Sequence, residues 1–125
     1  MNIIETPLAG VVIIEPRVFG DARGFFIESF QDERYRDAGI ELPFVQDNQS
    51  RSVKGVWDVA VDIDPRSPTY GQHVGVELND ENHRQMWVPP GYAHGFCVLS
   101  DIADFQYKCT DYYRPEDEGA VLWND

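Results

Sequence analysis

At 125 residues, with 42% hydrophobic and 13% aromatic content, the chain is long enough for one packed core and too short for two, so positions 1–125 are read as a single domain. Its 22 acidic residues against 10 basic ones give a formal charge of −12, which opposes binding to nucleic acid or an anionic membrane and leaves any phosphate site to a few local cations. No apolar stretch nears the roughly 20 residues that cross a bilayer, no basic-then-apolar leader opens the sequence, and Cys97 and Cys109 lack CxxC spacing; a soluble cytoplasmic protein with buried, reduced thiols is expected.

Val11–Ile14 is the first strand candidate. The cluster Phe19-Gly20-Asp21 reads as a turn, and Phe25–Phe30 as the strand after it. Asp32–Ala38, closed by Gly39, is the one segment with a helical signature. In Trp57–Asp64 the period is two: Trp57, Val59, Val61 and Ile63 fall on one face, expected to be buried, and Asp58, Ala60, Asp62 and Asp64 on the other, expected to be solvated. After a turn at Pro65-Arg66-Ser67-Pro68, Val74, Val76 and Leu78 alternate with His73, Gly75 and Glu77. Turns at Asn79-Asp80-Glu81-Asn82 and Pro89-Pro90-Gly91 follow, with His73 and His83 read as surface residues. Gly91 and Gly95 bracket His94 ahead of a buried strand beginning around Phe96 and Val98, which either offers one imidazole to a cavity or leaves it satisfied by a backbone carbonyl beside a core strand. Phe105 and Tyr107 alternate with Gln106 and Lys108 in the last strand candidate. Short strands, frequent turns and a single short helix predict an all-β sandwich or barrel, with a jelly roll the natural form.

The three histidines show no HxH or HxxxH spacing, so no metal site is expected. Glycine loops for phosphate and a GxSxG elbow are also missing from the sequence. What stands out is a set of polar and aromatic residues in apolar surroundings: Asp21-Ala-Arg-Gly-Phe-Phe-Ile-Glu28, Gln46-Asp-Asn-Gln-Ser-Arg51, His94, and Tyr107-Lys-Cys-Thr-Asp-Tyr-Tyr113. From Val-Phe-Gly-Asp-Ala-Arg-Gly-Phe-Phe to the C-terminal Leu-Trp-Asn-Asp, these residues, in this order, closely resemble the dTDP-4-dehydrorhamnose 3,5-epimerase family.

The resemblance implies a cupin-type jelly roll (a double-stranded β-helix) that forms a homodimer and acts on a dTDP-linked keto sugar with neither metal nor organic cofactor. The family's reaction removes a proton alpha to the C4 ketone from C3 and from C5 and returns one to the opposite face, which requires a base, an acid across the ring and a cation near the enolate oxygen. By position in the resemblance, Tyr107 is the acid and His94 the second active-site histidine, a polar contact near the sugar. Arg23, Phe26, Glu28, Gln46 and Asn48 fall at nucleotide-holding positions, some of which come from the partner subunit in the family: Arg23 suited to diphosphate, Phe26 to thymine, and the two amides to polar edges. Their plain structural alternatives are an exposed ion pair for Arg23 and Glu28 and a hydrogen-bonded loop for Gln46 and Asn48. Asp58 aligns with a family carboxylate.

The resemblance breaks where Ser50-Arg-Ser-Val-Lys-Gly-Val56 runs straight into Trp57. The family has there a strand with Arg-Gly-x-His-x-Gln, a loop with a lysine and a second strand, so the jelly roll is expected to be shortened by about two strands. The principal base, its neighbouring arginine and the enolate-steadying lysine go with them, and the family's carboxylate that orients the base falls beyond Asp125. An even number of lost strands preserves the direction of entry into the sheet. The sequence therefore supports a 3,5-epimerase, or a relative that epimerises only at C3 or moves the ketone, against a jelly roll that holds a nucleotide sugar without turnover and a purely structural homodimer. No carboxylate positioned behind His94 is evident from the residues.

Overall fold

The computed structural model describes residues 1–52, 56–97 and 101–120. Ten strands and one α-helix lie in this range: β1 (Asn2–Glu5), β2 (Val12–Glu15), β3 (Val18–Asp21), β4 (Gly24–Ile27), α1 (Asp32–Asp37), β5 (Gln46–Ser52), β6 (Val56–Asp62), β7 (His73–Leu78), β8 (Gln85–Trp87), β9 (Tyr92–Cys97) and β10 (Ala103–Cys109). A 3-10 turn follows at Pro115–Asp117. The all-β expectation holds, but the strand expected to begin buried around Phe96 starts at Tyr92 and leaves Phe96 44% exposed, the strand expected over Phe25–Phe30 ends at Ile27, and of the thiols expected to be buried Cys97 is exposed and Cys109 half-buried. Val98 and the Leu-Trp-Asn-Asp terminus lie outside the described residues.

The strands pair antiparallel in the orders β1-β2-β8, β3-β4, β7-β6-β9 and β10-β5. Leu8, Val11 and Ala60 form one core cluster, with Val74, Met86 and Tyr92 against it, and so pack the β1-β2-β8 sheet onto β7-β6-β9. Ile14, Tyr35 and Ile40 form a second, with Phe30, Phe44 and Trp87 around it, which seats α1 on the same sheet. The helix is short because its signals are close together. Gln31 accepts the Arg34 amide at 2.6 Å as its N-cap, Asp32 and Glu33 complement the first turn, and Gly39 at φ 94° carries the chain out.

Three further expectations are corrected. Phe19-Gly20-Asp21 belongs to strand β3, and the reversal falls at Ala22-Arg23, making β3–β4 a hairpin. The polar run Gln46–Ser52 is a strand, because its backbone pairs along its whole length with β10, from Gln46 opposite Cys109 to Ser52 opposite Ala103. The third correction concerns β6, where the face of Asp58, Ala60 and Asp62 is the buried one and Val59 and Val61 on the other are half-buried. Asp58 is 3% exposed, Ala60 is fully buried and Asp62 is 2% exposed, whereas Ile63, just past the strand, is 48% exposed. Period two reveals that a strand has two faces without saying which one turns inward; polar residues can point in when partners await them.

Asp62 shows how this is satisfied. Its carboxylate accepts the Ser67 and Thr69 hydroxyls, each at 2.5 Å, and the Asp64 amide at 3.0 Å, tying down the loop between β6 and β7. The Ser67 hydrogen bond first, then that of Thr69, hold the Asp62 carboxyl below its ordinary value of 3.8. A pKa lower in the folded than in the unfolded chain contributes stability that is present above pH 3.8 and is lost as pH falls through the folded value. Asp62→Asn is therefore expected to melt below the wild type at pH 7, with the gap narrowing as the pH is taken progressively below 3.8; thermal melts across that range measure this.

Candidate active site

The β7-β6-β9 and β10-β5 sheets face each other across Phe105. On β6 and β9 the register sets Asp58 opposite Phe96 and Ala60 opposite His94, so Asp58 and His94 are diagonal neighbours on one face. His94 Nε2 lies 2.5 Å from Asp58 Oδ1. The carboxylate is buried and the imidazole is partly open to solvent, with side-chain exposures of 4% and 36%. When Nε2–H is donated to Asp58, the tautomer is fixed and the lone pair sits on Nδ1, the nitrogen then able to accept a proton. A carboxylate behind an imidazole is an orienting device of the kind used in general-base catalysis. The expectation that no carboxylate stands behind His94 is thus overturned, together with that of a solvated Asp58; the acidic face that seemed plain in the sequence supplies the partner.

The Phe105 ring is stacked beside His94 at 6.2 Å and 15°, and it meets Phe96 at 4.9 Å and Tyr107 at 5.4 Å. His94 and Tyr107 therefore flank one buried ring. Tyr107 is 43% exposed and stands directly opposite Asn48 in the β5–β10 register, while Gln46 stands opposite Cys109. Gln46 Nε2 donates to Asn48 Oδ1 at 3.0 Å, Asn48 Nδ2 donates to Cys109 Sγ at 3.9 Å, and Gln46 Oε1 accepts the Tyr113 amide at 3.2 Å. The Tyr113 hydroxyl donates to Glu118 at 2.8 Å, and this bond raises its pKa from 10.0. His94, Tyr107, Asn48 and Gln46 are thereby brought to one region. Gly91 needs its glycine, at φ 100°, to turn the chain into β9; a side chain at Gly95 would meet open space, so it is not needed for close approach.

Arg23, Phe26 and Glu28 stand apart from that cluster. Arg23 lies in the β3–β4 turn with its guanidinium on Asp21, Nη2 to Oδ2 at 2.6 Å, which raises the pKa of the arginine and lowers that of the aspartate. Glu28 accepts from Arg34 at 2.5 Å. Both are exposed ion pairs of the kind that contribute little to stability. Phe26 is 67% exposed and packs only loosely across the hairpin on Phe19, at 6.4 Å. A separate cleft of about 330 Å³ lined by Phe30, Phe44, Asp47 and Lys108 contains neither His94 nor Tyr107. Among the described residues, no group of three or more His, Cys, Asp or Glu side chains converges as a metal site would require.

The sequence readings missed Asp58 as a partner of His94 and Phe105 as the ring that joins His94 to Tyr107. The one available signal for Asp58 was its alignment with a family carboxylate; its setting in an alternating Asp-rich strand argued the other way.

Comparison with known proteins shows the family. The family model described as dTDP-4-dehydrorhamnose 3,5-epimerase matches residues 5–57 and 55–125, two pieces that meet at the junction where the resemblance breaks. The dTDP-4-dehydrorhamnose 3,5-epimerase of Salmonella typhimurium is 46% identical over 150 positions, covering 100% of this chain and 82% of the relative. That of Methanothermobacter thermautotrophicus is 42% identical, covering 98% and 78%. Both alignments are longer than the chain itself, so the relatives carry residues with no counterpart here. A crystal structure of the Legionella pneumophila dTDP-6-deoxy-D-glucose-3,5-epimerase in complex with dTDP-4-keto-L-rhamnose superposes with a TM-score of 0.94 at 51% identity, covering 98% of this chain and 78% of that one. The Mycobacterium tuberculosis epimerase gives 0.92 at 33% identity, covering 100% and 75%. The fold is the cupin-type jelly roll of these enzymes, and the chain belongs to the dTDP-4-dehydrorhamnose 3,5-epimerase family.

Proposed function

We propose that this protein binds a dTDP-linked 4-keto-6-deoxy sugar and exchanges the protons alpha to its ketone, the chemistry of a 3,5-epimerase, with His94 and Asp58 in place of the base lost with the missing segment. The observation that carries this reading is the 2.5 Å contact between His94 Nε2 and the buried Asp58 carboxylate, beside Tyr107 across one ring. His94 Nδ1 takes the proton from C3 or C5, the C–H electron pair becomes the enolate, and the imidazolium is held by Asp58. The Tyr107 hydroxyl gives its proton to the opposite face, and solvent restores both groups. No oxidant or cofactor enters this balance. The amides of Gln46 and Asn48, on the same β5–β10 face as Tyr107, are the groups nearest to hand for the nucleotide's polar edges.

Arg23, Phe26 and Glu28 fit a nucleotide site completed by a second copy. They ride on or beside an exposed hairpin whose Phe25 and Phe26 are 59% and 67% exposed, surface that a homodimer would cover. A single-domain cytoplasmic enzyme of nucleotide-sugar metabolism follows from the same reading. Among the described residues, no helix is long and apolar enough to cross a membrane.

A second reading has a specific observation behind it. The split in the family match falls where the principal base, arginine and lysine would lie, which favours a jelly roll that holds the nucleotide sugar without turning it over. Incubation with dTDP-4-keto-6-deoxyglucose in deuterated water separates the two: deuterium at C3 and C5 supports the epimerase, label at C3 alone a single-centre enzyme, and dTDP binding with no label the binder. Tyr107→Phe is expected to reduce net inversion by about 100- to 10,000-fold while leaving dTDP affinity unchanged, since it removes the acid and keeps the ring against Phe105. A parallel loss of affinity would make Tyr107 a packing residue.

A further inference from the structure

His83, expected as a surface residue, is half-buried and adopts φ 51°, the one non-glycine residue with positive φ among those described. A left-handed conformation is disfavoured for an L-residue and persists where its surroundings over-determine it. The surroundings do so here. Asn82 Oδ1 accepts the amides of Asn79 and Arg84 at 3.3 and 2.9 Å, and its Nδ2 donates to the Glu77 carbonyl at 2.9 Å. The His83 amide itself donates to the Asn79 carbonyl at 3.1 Å. On the other side, Arg84 Nε reaches Glu15 Oε2 at 3.1 Å and anchors the turn to the end of β2. The turn between β7 and β8 is thus built to hold one ring in one place.

That ring lies on Phe25, centroid to centroid 4.5 Å and tilted by 51°. Phe25 and Phe26 point to opposite faces of β4, so the face away from the Phe19–Phe26 pair is the one that His83 touches. We propose that His83 is a positioning residue: its ring buttresses the β3–β4 hairpin and sets the pose in which the hairpin presents Arg23 and Phe26 to the nucleotide. The presenting role rests on the nucleotide-binding reading above; the buttress itself does not.

The test uses His83→Asn, which keeps a residue tolerant of positive φ and removes the ring, and Phe25→Leu, which removes the other ring. Each single variant is expected to speed amide exchange across Val18–Ile27 by about threefold to tenfold, with β6 amides unaffected, and to raise the dTDP Kd by a similar factor without changing kcat. The double variant is expected to be no worse than either single one, because both remove the same contact. Unchanged hairpin exchange, or additive effects, would overturn the buttress whatever the protein binds. Faster exchange with an unchanged dTDP Kd would overturn the presenting role. A wild-type protein that fails to bind dTDP would sink the nucleotide reading and the presenting role with it, while the exchange measurement still judges the contact between the two rings.

Discussion

Substituting His94 with Gln is expected to slow deuterium incorporation alpha to the ketone by about 100- to 10,000-fold, the range typical of a positioned acid or base. Glutamine keeps a polar group near Asp58 yet cannot cycle a proton at neutral pH. Asp58→Asn is expected to act through His94: an amide in that place can accept the Nε2 proton but does not hold an imidazolium charge. The loss should be large, and the double variant should be about as slow as His94→Gln alone, because groups that act as a unit are strongly non-additive. The dTDP affinity of all three should stay near that of the wild type, since neither side chain is placed in the nucleotide cradle. Losses that add independently would separate Asp58 from the chemistry and return it to a structural role.

The largest effect on stability is expected at Leu8. It is 1% exposed and packs with Val11 and Ala60 where the β1-β2-β8 sheet meets β7-β6-β9. Truncation of such a residue costs about 2–5 kcal/mol in lost transfer and cavity terms. Set against the roughly 5–15 kcal/mol that holds a typical domain together, this is enough to threaten folding. Leu8→Ala should lower the urea midpoint sharply with little change in slope. Ile63→Ala, at a side chain 48% exposed just past β6, should lower stability by no more than about 0.5 kcal/mol and barely move that midpoint. Comparable losses at the two positions would contradict the placing of the core between these two sheets.

Much of this molecule was legible before its structure. The turn residues Asn79–Asn82 and Pro89–Gly91 fell where expected because Asn, Pro and Gly carry their own backbone preferences. Trp57–Asp64 and His73–Leu78 show as strands from alternation, though the first runs two residues past the end of β6 at Asp62. Three things were hidden, for separable reasons. The polar run Gln46–Ser52 gives no apolar alternation, and its strand exists because β10 pairs with it residue by residue, a long-range fact. The inward turn of Asp58 and Asp62 depends on partners 36 residues away in one case and on hydroxyls of the following loop in the other. The third, the grip of His83 on Phe25, joins residues that no local pattern connects.

The candidate site divides along the same line. Family resemblance brought out His94, Tyr107, Gln46 and Asn48, and the fold gathers these four around Phe105 and the β5–β10 register. Arg23, Phe26 and Glu28 came from the same resemblance and lie on a hairpin that the single chain leaves exposed. What the residues alone could not reveal was that the His94 imidazole is braced by the buried Asp58 carboxylate.

The most direct test follows the C3 and C5 proton resonances of dTDP-4-keto-6-deoxyglucose by NMR in deuterated water, with wild type and His94→Gln side by side. The account predicts that the signals fade with the wild type and persist with the variant. Signals that fade equally with both, or persist with both although dTDP is bound, would contradict it.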